Sequence, residues 1–204
     1  MLKTITAGLL ALLAWTTTPA SAASLKYKAC DDGKAGCYVI TIAGEITRDD
    51  GKDLADFVAS KPVTSAVLWL NSPGGIFEDG MGIARLVRQR NFDTYVGDGG
   101  TCTSMCAIIW LAGNIRYYTG KAQIGFHSMS SWPVDKQGNR IRNGKVTSYN
   151  GGNALVGAFF SKLGLSDKAI EALTDAEYSS MFYLNTKNIE ELGIAAKRWT
   201  PPSS

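Results

Sequence analysis

The sequence predicts an α/β domain in which strands and helices alternate. Three observations carry that reading. Short β-branched runs alternate with amphipathic helical stretches, turn signals mark their junctions, and the length suits a single core. Such alternation builds a largely parallel sheet with right-handed crossovers.

Residues 37–46 (CYVITIAGEI) alternate apolar and polar side chains, as a half-buried strand does. Residues 47–58 follow with Leu54, Phe57 and Val58 on one helix face and Thr47 or Asp49 as the cap. Residues 66–70 (AVLWL) are a short apolar run suited to a buried strand. Asn71-Ser72-Pro73-Gly74-Gly75 is a turn. Over 78–89, Met81, Ile83, Ala84, Leu86 and Val87 form a helical stripe, and 93–96 reads as a strand. Gly97-Asp98-Gly99-Gly100 is a loop, and 104–112 reads as a small, apolar, buried helix. Residues 115–118 and 123–126 read as short strands. The polar stretch 129–150 is an excursion over the site. Helices are expected over 153–163, 166–173 and 186–192, the last ending at Gly193. No internal repeat or low-complexity segment interrupts this order.

The first residues read as an export signal. Lys3 supplies a positive start, residues 5–15 an apolar run, and Ala20-Ser21-Ala22 an A-x-A cleavage site. The run is too short for a stable bilayer span; the alternative is an uncleaved anchor. The expected organisation is a signal peptide over 1–22, one domain over 23–197 and a flexible tail over 198–204. Removing the signal leaves about 180 residues, enough for one sizeable core. The protein is then periplasmic or secreted, with no membrane span after cleavage. The formal net charge is +3, with no basic stripe interleaved with aromatics, so nucleic acid is not an expected partner. Export also argues against ATP or coenzyme A.

Four cysteines in an exported chain read first as two disulfides, for which three connectivities exist. Cys30 and Cys37 flank a turn and are the easiest pair to close. That leaves Cys102 and Cys106, which bracket Ser104 and can join only across a sharp bend. Free thiols are the alternative. A zinc site has little support, with one histidine and no C-x-x-C pair, and no metal or cofactor is expected.

His127 is the only histidine. If the chain uses an imidazole base, His127 is that base. Ser104 opens a helix after a glycine-rich loop, where free amides and the helix dipole favour negative charge. Acyl transfer needs that combination: a hydroxyl beside a neutral imidazole, and amides aimed at the developing oxyanion. Singly, each residue has an ordinary structural explanation, since serine is a common helix cap and a strand-end histidine is often a core residue.

The order of these motifs resembles the proteolytic subunit of the Clp protease and its wider ClpP/crotonase superfamily, which includes signal peptide peptidase A. The matching residues are Leu70-Asn71-Ser72-Pro73-Gly74-Gly75, then Gly80-Met81-Gly82-Ile83, Thr103-Ser104-Met105 with Ala107, Leu111-Ala112-Gly113, and Ile124-Gly125-Phe126-His127. Ile189-Glu190-Glu191-Leu192-Gly193-Ile194 is a weaker echo of the family's closing helix. The resemblance implies a spiral of β-β-α units in one domain, and subunits that assemble into homo-oligomers. It implies Ser104 as nucleophile, His127 as general base, and the amides of Gly75 and Met105 as oxyanion hole, with Gly74 shaping the turn.

The chain departs from the family pattern in three places. Counting back from Gly193, the family's acidic triad position falls on Met181. Asp175 lies a few residues earlier and is the candidate third member; Asn185 is a second candidate orienter. Without either, the chain works as a Ser-His dyad. The Cys-x-Ser-x-Cys pattern is similar to that of exported Clp-like proteins. The helical handle that builds the Clp ring is shortened and replaced by 129–150, which argues against a tetradecameric barrel and, with export, against a chaperone ATPase partner.

The expected function is an exported, ATP-independent serine peptidase or related acyl hydrolase acting on a peptide or protein substrate. The substrate would lie as an extended strand beside Gly74-Gly75, with Ile76, Phe77, Trp132 and Tyr149 as ordinary lining residues. The alternative is a catalytically inactive peptide- or protein-binding member of the same fold. Crotonase-type chemistry on acyl thioesters is a third reading, weakened by the lack of coenzyme A outside the cytoplasm.

Overall fold

Burial alternates residue by residue along the central strands, as a sheet covered on one face requires. In β3 (Ser65–Asn71), Ala66, Leu68 and Leu70 face the core, while Trp69 is exposed. The computed structural model describes residues 22–200 apart from 32, 134, 137–140 and 142. All of the expected signal peptide except Ala22 lies outside the described residues, as do residues 201–204 of the expected tail.

The described chain begins with β1 (Ser24–Ala29), β2 (Cys37–Ala43), α1 (Asp50–Ser60), β3, α2 (Phe77–Gln89), β4 (Asp93–Val96), β5 (Thr101–Thr103) and α3 (Met105–Leu111). It continues with β6 (Arg116–Tyr118), β7 (Gln123–Phe126), β8 (Ser130–Ser131), β9 (Thr147–Ser148), α4 (Asn150–Lys162) and α5 (Asp167–Thr174). It ends with β10 (Phe182–Leu184), α6 (Thr186–Glu191) and β11 (Lys197–Arg198). One sheet has the order β1-β2-β3-β4-β6-β11 and is parallel except at its β1 edge. A second layer holds β10-β7-β5, with β5 parallel and β10 antiparallel to β7. Isolated parallel bridges extend that layer, Ser72 to Cys102 and Ile46 to Gly75.

The bridges expose the repeat. Each pass of the chain supplies a strand to the first sheet, a second extended segment to the other layer, and then a helix. The units are β2, Ile46 and α1; β3, residues 72–75 and α2; β4, β5 and α3. This is the spiral of β-β-α units, in a single α/β domain.

Helix α3 is the hub of the core. All seven of its residues are buried, Trp110 completely. Burying one such large apolar side chain is worth roughly 1.5–3 kcal/mol. The polar groups around the C-terminal end of α3 are satisfied. The Trp110 indole donates to the Tyr117 carbonyl at 3.0 Å, and Thr94 Oγ1 donates to the Trp110 carbonyl at 2.7 Å. The buried Arg116 donates from Nε to the Leu111 carbonyl at 2.5 Å and from Nη1 to the Ala195 carbonyl at 3.0 Å. Burial, with a smaller contribution from the Arg88 charge, lowers its pKa to about 10. A guanidinium at a helix C-terminus meets the negative end of the dipole. It also ties the last residues to α3.

Several boundaries differ from expectation. The helix expected from 47 starts at Asp50, and its N-cap, Asp49, makes no side-chain cap bond. Asp49 is left-handed (φ 76°), whereas capping side chains reach the first amides from extended backbone. The Asp50 carboxylate instead accepts from the Thr47 amide at 2.6 Å and its hydroxyl at 3.1 Å. The 129–150 excursion contains the β8–β9 hairpin, and α4 begins at Asn150, three residues before the expected start. Strands β1, β5, β10 and β11 were not expected. Arg198, placed in the tail by the sequence reading, pairs in β11, and the Trp199 amide donates to the Tyr118 carbonyl at 2.8 Å. Cys30 is joined to Cys37 and Cys102 to Cys106. Among the described residues, no helix is long and apolar enough to cross a membrane.

The β1 edge is held to α1 by aromatic packing. Tyr27 stacks on Phe57 with centroids 3.8 Å apart, and Tyr38 meets Phe57 edge-on. The Tyr27 hydroxyl is buried there without a partner. Burial, then the charges of Asp53 and Asp50, raise its pKa from 10.0 to about 12. The folded state therefore keeps its proton where the unfolded chain has lost it. That contribution is complete below pH 10 and falls away as pH rises from 10 toward 12. Tyr27→Phe should match or exceed wild-type Tm at pH 7, since it removes an unpaired buried hydroxyl. It should also flatten the loss of stability above pH 10 in a pH series of thermal melts.

Candidate functional site

Between β5 and α3 there is room for one residue, Ser104. It turns the chain with φ 57° and ψ −128°. A side-chain-bearing residue in such backbone stores on the order of 1–3 kcal/mol of strain and persists only where its surroundings fix it. Both sides are fixed. The Thr103 amide donates to the Ser72 carbonyl at 3.1 Å, and the Ser104 amide to the Gly125 carbonyl at 2.9 Å. On the helix side, Ala107 and Ile108 donate to the Ser104 carbonyl at 3.0 and 3.3 Å. Ser104 occupies the N-cap position, yet its hydroxyl makes no capping bond. The ordinary structural explanation for a serine here is therefore not realised, and the hydroxyl remains available.

The turn at Gly74-Gly75 packs directly against this elbow. Both glycines have positive φ, 95° and 151°. A Cβ on Gly74 would lie 2.7 Å from the Ser104 Cβ and 2.8 Å from the Met105 amide nitrogen. A Cβ on Gly75 would lie 2.0 Å from the Ile46 carbonyl oxygen. In the bridge to Ile46, the Ile46 amide donates to the Gly74 carbonyl at 2.7 Å, and Ile76 donates to the Ile46 carbonyl at 2.9 Å. Such a parallel bridge uses the polar groups either side of Gly75 and turns the amide of Gly75 itself to the opposite edge. Met105 is the first residue of α3, so its amide is one of the donors every helix leaves unpaired at its start. The turn is further tied by Gly74 donating to Ser72 Oγ at 3.1 Å and Thr103 Oγ1 donating to the Pro73 carbonyl at 3.1 Å.

His127 follows the last residue of β7 and is half-buried. Its Nδ1 lies 2.6 Å from the Ser128 carbonyl oxygen. A carbonyl accepts only, so Nδ1 carries the proton and Nε2 holds the free lone pair. The Ser128 amide donates to the Ala176 carbonyl at 2.7 Å, which anchors that residue to the segment after α5. Asp175 is the C-cap of α5 and is exposed. Asn185 caps α6, its side chain accepting from the Asn188 amide at 3.0 Å. Met181 lies against Gly125, beside the strand that carries His127.

Ser104, His127, Gly75 and Met105 line one groove of about 920 Å³. Gly74 is buried behind it. Ile76, Phe77, Trp132 and Tyr149 line the groove as well, Phe77 meeting Tyr149 edge-on at 5.5 Å. Sequence reasoning missed the part of the lining where Glu45, Ile46, Thr47 and Arg48 arrive through the Ile46–Gly75 bridge. A single bridge leaves no local pattern. It also missed Tyr178 and Ser179. Among the described residues, no group of three His, Cys, Asp or Glu is arranged to hold a metal ion.

The layered β-β-α units and the glycine turn behind the Ser104 elbow define a ClpP/crotonase-like α/β protein. The Clp protease family profile matches residues 39–179, and the chain belongs to that family. Among solved structures, the ClpP protease catalytic domain from Plasmodium falciparum superposes with TM-score 0.56 at 16% identity, covering 83% of this chain and 87% of that one. A mutant of the 1510-N membrane-bound stomatin-specific protease gives 0.54 at 16% identity, covering 80% of each chain. A further mutant of that protease, in complex with a substrate peptide, gives 0.53 at 17%, covering 81% of this chain and 76% of that one. At these identities the likeness shows the fold, which is peptidase-like. No match was found among curated proteins.

Gly75→Ala tests the close approach behind the site. The new Cβ must displace the Ile46 carbonyl from strained backbone, at a cost of about 2–5 kcal/mol. Chemical denaturation should show a midpoint well below wild type.

Proposed function

We propose that the protein is an exported, ATP-independent serine peptidase or related acyl hydrolase. Ser104 is the nucleophile and His127 the general base, taking the hydroxyl proton on Nε2 and returning it to the leaving group. The amides of Gly75 and Met105 stabilise the oxyanion, a contribution worth about 10²–10³ in rate per donor. The observation that carries this reading is the strained, uncapped Ser104 in one groove with the only histidine and the Gly75 and Met105 amides. No resident metal or cofactor takes part in this chemistry. A peptide or protein substrate would lie extended along the Gly75 edge, where the outward polar groups offer strand-type hydrogen bonds. Export is supported by the N-terminal signal pattern and by two disulfides, which persist in oxidising compartments. Assembly into a homo-oligomer is part of the same reading.

Mass spectrometry after fluorophosphonate treatment tests it directly. The mature, oxidised protein should gain one adduct on Ser104, and Ser104→Ala and His127→Ala should gain none. Absence of labelling in folded wild type would sink the hydrolase reading.

A second reading draws on one observation, the carbonyl rather than carboxylate partner of His127. A carbonyl fixes the tautomer but stabilises the imidazolium less than a charged group does. It favours a slow hydrolase or a peptide-binding protein that has lost turnover. Asp175 remains the candidate third member, and its role divides the two mechanisms. With Ser128 as orienter, Asp175→Asn should leave the labelling rate within about twofold of wild type. A triad would lose about 10⁴, the scale seen when that acid is removed elsewhere.

A further inference from the structure

Ser104 stands at the centre of a covalent loop. Cys102 in β5 and Cys106 in α3 are joined, with Cα atoms 5.0 Å apart, and both are fully buried. The same four peptide units, if extended, could span up to about 14 Å. The hydrogen bonds around the elbow hold each arm separately. Ser72 and Gly125 hold the strand arm, and the first turn of α3 holds the helix arm. The disulfide joins one arm to the other. Gly74, pressed against the Ser104 Cβ, closes the remaining side.

We infer that Cys102–Cys106 is a positioning brace that holds Ser104 in its strained backbone and so keeps the hydroxyl and the Met105 amide in register. A residue at φ 57° relaxes by swinging its two arms apart, and the disulfide denies that motion. Cys30–Cys37 is a built-in control, because it joins the ends of the β1–β2 turn, away from the groove lining. The catalytic consequence rests on the proposed hydrolase reading; the mechanical claim about the elbow does not.

A thermal-melt cycle tests the mechanical claim without any activity. Glycine tolerates positive φ and alanine does not, so the Tm difference between Ser104→Gly and Ser104→Ala measures the strain held at the elbow. In the wild-type background Ser104→Gly should melt higher, by roughly 2–4 °C or more for a chain of this size. With Cys102→Ala/Cys106→Ala that difference should fall by half or more, because the unbraced elbow relaxes. With Cys30→Ala/Cys37→Ala it should be unchanged. Equal differences in all three backgrounds would overturn the brace. If the paired alanines prevent folding, reduction of the Cys30→Ala/Cys37→Ala protein cuts the brace while keeping both sulfur atoms in the core. Fluorophosphonate labelling adds the functional arm. Unbraced but folded protein should label at least about tenfold more slowly than wild type, a local misplacement being enough for such a loss. The Cys30→Ala/Cys37→Ala protein should label at the wild-type rate. Equal labelling with and without the brace would refute its positioning role. Unlabelled wild type would refute the hydrolase reading, and the melt cycle would still decide the brace.

Discussion

Strand β5 ends at Thr103 and helix α3 begins at Met105, so a reversal of direction rests on Ser104 alone. That constraint organises much of what surrounds it. The strand arm needs neighbours on both edges, which is why Ser72 and Gly125 approach it from either side. The helix arm needs an immovable seat, and α3 has one in the fully buried centre of the core. The space under the serine must be empty of side chains, which Gly74 satisfies. These features share a cause: a residue in disfavoured backbone must be over-determined by its environment. The second sheet layer, slight as it is, supplies much of that determination.

The same layer builds the groove. Ile46 bridges to Gly75, and Ser72 to Cys102, which is in turn paired with Ile124 across β5 and β7. Extended segments from four separate passes of the chain therefore reach one row, and His127 stands one residue beyond its last parallel strand. Residues as distant as Ile46 and His127 are carried together by a short parallel ladder, without a long loop folding over the site. Side chains on such elements are held more closely than those on loops. The exception is the wall contributed by Met129 and Trp132, which belongs to the 129–150 excursion.

Much of this was legible in the sequence, and the misses at β5, β10 and β11 have a common physical reason. Strands β4 and β7 fall on the expected residues, because a partly buried strand is locally patterned. The Asn71–Gly75 turn and the Ser104 elbow were readable because glycine, proline and small residues mark special backbone. Strand β5 was missed because three residues, Thr-Cys-Thr, carry no period; they are a strand only because Ser72 and Gly125 lie beside them. Strands β10 and β11 are equally short and equally dependent on partners far away in sequence. The groove lining was half legible: Ile76 and Phe77 follow the glycine turn directly, whereas Glu45 to Arg48 arrive by a single bridge. The imidazole's partner was not legible, since a main-chain carbonyl has no residue signature.

That carbonyl bears on how the site can work. A buried carboxylate beside an imidazole fixes its tautomer and also compensates the charge that appears when the base takes a proton. The Ser128 carbonyl supplies the first service in full and the second only through its dipole. In the proposed hydrolase, what remains to stabilise the charged intermediate is the oxyanion side, where the Gly75 and Met105 amides would act without any proton transfer. The balance of the site therefore shifts toward geometry. On that reading, with less electrostatic help for the base, the rate would depend more on how closely the serine oxygen and the two amides keep their places. Packing on Gly74, the buried seat of α3 and the Cys102–Cys106 link all act on that one requirement. The last of these fits the proposed export, because an oxidising compartment keeps such a bond closed.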